Sequence, residues 1–136
     1  MKKSILPYFD RAFSALLEDM SQRGLLEDTL VVAMGEFGRT PKIGQVTSGA
    51  GATVEGRDHW PHCYTVLMGG AGIQGGMVYG ASDRFAAYPA DKPVTPEDIA
   101  ATIYHALGID PKLQIHDALN RPHLLALGQP ITDLFG

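Results

Sequence analysis

The sequence predicts an α/β fold with a mostly parallel sheet, and three stretches carry that expectation. In residues 5–23, Ile5, Phe9, Phe13, Leu16, Leu17 and Met20 recur at three- and four-residue steps, the spacing of one helix face. Residues 29–34 follow as a β-branched apolar run, Leu30-Val31-Val32-Ala33-Met34. Near-continuous hydrophobicity of this kind suits a strand covered on both faces, as in parallel sheets. Residues 95–107 then read as a second, capped helix, and a helix feeding such a strand is half of a crossover unit.

For the first helix, Ser4 is the expected N-cap, Pro7 falls in the tolerated first turn, and Gly24 is the expected stop. Its opposite face carries Asp10, Arg11, Glu18, Asp19 and Arg23, so the helix is expected to lie on a sheet. The apolar run of residues 29–34 breaks into Gly35-Glu36-Phe37-Gly38-Arg39-Thr40-Pro41. Residues 42–56 are rich in Gly, Ser and Thr and read as a long surface loop, a length usually tied to function. The loop closes on Gly56-Arg57-Asp58-His59-Trp60-Pro61, and residues 63–68 form a second apolar strand. Residues 76–81 suit a short strand or hairpin arm. In the second helix Thr95 is the expected cap, Pro96 occupies the first helical position, Asp98 completes a capping box, and Gly108 ends it. Residues 124–127 and 131–135 are expected to be small strands or turns covering the core.

Composition limits the function classes. The 136 residues fit one domain, and 45% apolar content supports a modest core. Eleven basic against fifteen acidic residues give −4, which argues against a nucleic-acid partner. No apolar run approaches the roughly 18 residues of a membrane-spanning helix, and the basic start lacks the apolar core of a signal peptide. The single cysteine, Cys63, excludes an internal disulfide and a Cys-based zinc cluster. Two core strands are few for an independent sheet, so the chain reads as one domain-sized part of a larger α/β unit. Its exposed sheet edge invites association with a second copy.

The chemistry-bearing residues gather just past the ends of the two apolar strands, where open α/β sheets hold ligands. Glu36 lies between Gly35 and Gly38, and a carboxylate there can bind a divalent cation or pair with Arg39. Asp58 and His59 supply a carboxylate and an imidazole, both metal ligands, and His62 is near enough to support them. Arg39 and Arg57 bracket the loop and suit a phosphate, sulfate or carboxylate group, unless each neutralises a neighbouring acid. Gly70-Ala71-Gly72-Ile73-Gln74-Gly75 matches a dinucleotide fingerprint in spacing, but the residues after it are a poor helix start.

These motifs resemble the DUF1501 family of sulfatase-like proteins. The resemblance rests on Leu30-Val31-Val32 leading into the Gly-Glu-Phe-Gly-Arg-Thr-Pro turn and on Gly-Arg-Asp-His-Trp. It extends through residues 69–76 and Val78-Tyr79-Gly80, residues 94–104, and the tail from Asn120-Arg121-Pro122 to Pro130-Ile131. It implies the C-terminal portion of an alkaline-phosphatase-like α/β/α sandwich. The implied reaction is transfer or hydrolysis of phosphate or sulfate esters, with small-molecule esters as substrates, at one or two divalent metal ions such as zinc, calcium, manganese or magnesium. By the same resemblance Glu36 and His59 are ligands, Asp58 is a ligand or an orienting group, and Arg39 is an oxyanion clamp. Two departures stand out. The superfamily's usual Asp-His pair is Glu36-Phe37 here, and the upstream Asp-Thr-His segment of relatives has no counterpart. The expectation is therefore a hydrolase part that is inactive without an N-terminal half, with a non-catalytic sulfatase-like binding module as the alternative.

Overall fold

The computed structural model describes residues 5–49 and 53–136; the expected Ser4 cap and the basic start lie outside them. Helix α1 spans Ile5–Gln22 and is followed by a 3-10 turn at Leu25–Glu27. Strands β1 (Val31–Met34) and β2 (Gly38–Arg39) run outward, and β3 (His59–Trp60) and β4 (Val66–Gly69) run back. The pair β5 (Ala81–Ser82) and β6 (Pro89–Asp91) precedes helix α2 (Pro96–Ala106). The pair β7 (Gln114–His116) and β8 (Pro122–Leu124) and a 3-10 turn at Thr132–Leu134 complete the chain.

The parallel sandwich expected from the sequence is not what forms. All four sheets among the described residues are two-stranded and antiparallel: β1 with β4, β2 with β3, β5 with β6, and β7 with β8. The physical reason lies in the connection. A parallel pair needs a crossover, usually through a helix, whereas the described path from β1 to β4 goes out along β2 and returns along β3 with no helix between. The apolar runs imitated strands buried on both faces, but β1 and β4 are only half-buried, with Met34 and Leu67 exposed.

The result is one long interrupted ribbon. Val31 pairs with Gly69 and Met34 with Val66; farther out, Gly38 pairs with Trp60 and Arg39 with His59. Three residues on one side, 35–37, face five on the other, 61–65, so the ribbon bends between its two ladders. Gly38 sits at the bend because a Cβ there would overlap the carbonyl oxygen of Cys63. At the inner end the Ala71 amide donates to the Leu26 carbonyl at 2.7 Å, and Leu17 of α1 packs against Gly69.

Helix α2 forms as its local signals dictate. The Thr95 hydroxyl accepts from the Asp98 amide while the Asp98 carboxylate accepts from the Thr95 amide, the two halves of a capping box. Gly108 takes the left-handed conformation, φ 71°, that ends the helix. The tail docks on α2 by two further bonds. The Gln129 amide donates to Asp98 Oδ1 at 2.8 Å, and the Ile131 amide donates to Thr102 Oγ1 at 3.0 Å. Gly128 makes this approach feasible, since a Cβ there would overlap the Glu97–Asp98 backbone. Ala101, Thr102 and Ile131 are buried along this seam.

The glycine-rich turn after β4 holds no helix. Gly70 bridges Ile73, and Ile73 in turn bridges Phe135 of the tail, which removes the dinucleotide reading. No helix among the described residues is long and apolar enough to cross a membrane.

Candidate anion site at the bend of the ribbon

The outer end of the ribbon is ordered by one carboxylate. Asp58, 2% exposed, accepts from the Thr47 amide (2.7 Å) and the Ser48 amide (2.9 Å) at Oδ2. Its Oδ1 accepts from the Ser48 hydroxyl (2.6 Å) and the His59 amide (2.7 Å). The Ser48 hydroxyl first, then these amides, hold the carboxyl well below the usual carboxylate range. The buried Thr40 completes the clamp: its amide donates to the Asp58 carbonyl, and its hydroxyl accepts from the Asp58 amide. Asp58 thus ties Thr47 and Ser48 to the ribbon.

The other expected site residues are placed around this clamp. Glu36 is exposed at the turn between β1 and β2, with no hydrogen bond or ion pair among the described residues. His59 is half-buried, its ring 4.1 Å from that of Phe37, centroid to centroid. Among the described residues no three His, Cys, Asp or Glu side chains gather where they could hold a metal ion.

Arg39 and Arg57 come together. An Nη of Arg39 reaches the Arg57 carbonyl at 3.4 Å, and its guanidinium lies 5.7 Å from the centre of the Phe37 ring. Neither arginine has a carboxylate partner among the described residues, so neither neutralises Glu36 or Asp58. Both line an open cavity of about 690 Å³ at the bend. His62 shares that wall, whereas Glu36, Asp58 and His59 do not line it. The far walls come from β4, α2 and the tail through residues such as Met68, Ile99 and Ile131.

A family model for proteins of unknown function, DUF1501, matches residues 1–135. The chain belongs to the DUF1501 family. No curated protein and no solved structure matches it. In this DUF1501 chain the two charged motifs quoted above occupy facing strands of one ribbon, with Gly38 opposite Trp60 and Arg39 opposite His59. The sequence singled out these motifs, with His62 in a supporting role and Arg39 and Arg57 suited to an anion unless each neutralised a neighbouring acid; among the described residues neither arginine has such an ion pair. Pairing puts His59 across from Arg39, and the five-residue return through 61–65 carries His62 onto the cavity wall.

Proposed function

We propose that this chain forms the anion-holding wall of a site for small-molecule phosphate or sulfate esters, one that acts in a hydrolase completed by groups from outside the chain. One observation carries the reading: two guanidinium groups without carboxylate partners among the described residues line one cavity at the bend of the ribbon. Planar guanidinium forks match the oxygens of phosphate and sulfate, and an unpaired cation in a partly enclosed site is held for an incoming anion. Arg39 would clamp the charged oxygens and stabilise charge as it develops on them. The sulfatase-like resemblance of the two motifs agrees with that chemistry.

A divalent ion fits these residues poorly by themselves. Asp58 already accepts four hydrogen bonds, which leaves Glu36 and His59, fewer than the three protein ligands of a usual catalytic zinc site. Those two are the donors this chain would lend to zinc, calcium, manganese or magnesium. The commitment of Asp58 favours a second reading, a non-catalytic sulfatase-like binding module. Turnover of p-nitrophenyl phosphate and p-nitrophenyl sulfate with each metal, measured in a protein that joins this chain to the groups completing the site, separates the two. Background rates in both wild type and Arg39→Ala, with anion binding intact in wild type, select the binding module. Isothermal titration with inorganic phosphate and sulfate tests the shared claim, and equal affinity in wild type and Arg39→Ala would overturn it.

A further inference from the structure

Resting on the anion-site reading above, we infer that His62, and not His59, is the imidazole of this site, donating a hydrogen bond to the bound anion in its protonated form. His62 lines the cavity with Arg39 and Arg57; His59 does not. Among the described residues the imidazole is positioned by rings. It lies edge-on to Trp60 at 4.7 Å between centroids and 5.3 Å from Tyr88. Trp60 is itself pinned, its indole N–H donating to the Ala87 carbonyl at 2.6 Å. Ala87 belongs to a loop closed by the Asp83 carboxylate, which accepts from the Phe85 and Ala87 amides. Neither ring nitrogen of His62 is engaged by a hydrogen bond among the described residues, so both are free to meet a ligand.

The charged and titratable groups sharing the cavity are Arg39, Arg57, Asp91, Lys92, Cys63, Tyr64 and Tyr79. Lys92 is paired with Asp133 at 3.2 Å and sits over the Tyr79 ring. Of the groups on this wall, an imidazole is the one whose ordinary charge change falls between about pH 5 and 8.

Sulfate keeps its charge across that range, so the pH dependence of its binding reports on the protein. The test is calorimetric titration of the full chain with sodium sulfate at about pH 5.5, 6.5 and 8 in 0.15 M salt, which screens distant charges. Wild type should bind about tenfold more weakly at pH 8 than at 5.5, the size expected for one charge-assisted hydrogen bond. His62→Gln should bind with no pH slope, and His62→Lys should bind with wild-type strength and no slope. Loss of fold would not imitate this, because His62 is exposed and each variant is first matched to wild type in thermal midpoint. A slope retained in His62→Gln, or none in wild type, overturns the inference while leaving the arginine site standing. Binding equal in wild type and Arg39→Ala, or no sulfate binding at pH 5.5, overturns the anion reading and this inference with it.

Discussion

The two helices of this chain are held in opposite ways. Helix α2, eleven residues long, is capped at its start, clasped by the tail and buried at Ala101 and Thr102. Helix α1, eighteen residues long, buries no residue at all, and Tyr8 is 73% exposed. The difference shows what orders this molecule. Local structure is fixed where a side-chain oxygen gathers backbone amides, as Asp58, Asp83, Asp98 and Asp117 do. Apolar burial contributes less, because the chain exposes 9822 Å². A compact monomer of 14.6 kDa is expected to expose about 6,900 Å².

The comparison breaks most sharply at the clasp. Gly128→Ala forces a methyl group into the Glu97–Asp98 backbone and should cost about 3 kcal/mol, read as a lowered urea midpoint. Asp98→Ala removes the capping box and the Gln129 bond together and should cost about 2 kcal/mol, with tail amides exchanging faster than those of α1. At the other extreme, Tyr8→Ala on the exposed face of α1 should change stability by less than about 0.5 kcal/mol.

Acid sharpens the same contrast. Asp98 is lowered mainly by the Gln129 amide, Asp117 mainly by the Arg121 amide, and Asp58 mainly by the Ser48 hydroxyl. A carboxyl whose folded value lies below its unfolded value near 3.8 stabilises the fold fully above that pH. Its contribution is lost as pH falls through the folded value. Urea midpoints should therefore change little from these three groups between about pH 7 and 5 and fall as pH drops below about 4. Asp98→Asn should flatten part of that fall.

What the sequence revealed follows the same division between local and long-range order. Helix α2 was legible almost to the residue because Thr95, Pro96 and Asp98 act within one turn at its start and Gly108 acts on the turn it ends. The apolar pattern located α1, β1 and β4 but not their arrangement, since pairing direction depends on how the chain returns and no residue in β1 encodes it. The motif residues were legible as a group, whereas the commitment of Asp58 to loop amides was not. Asp58 finds its partners ten and eleven positions away at Ser48 and Thr47. The choice between His59 and His62 depends on the bend opposite Gly38, which only the folded ribbon makes.

The central claim is that Arg39 and Arg57 act on one anion, and a double-mutant cycle on sulfate affinity tests it most directly. Arg39→Ala and Arg57→Ala should each weaken binding at least about tenfold, with the double variant much less affected than the product of the two losses. Strictly additive losses, or an Arg57→Ala variant that binds as wild type does, would contradict a shared site.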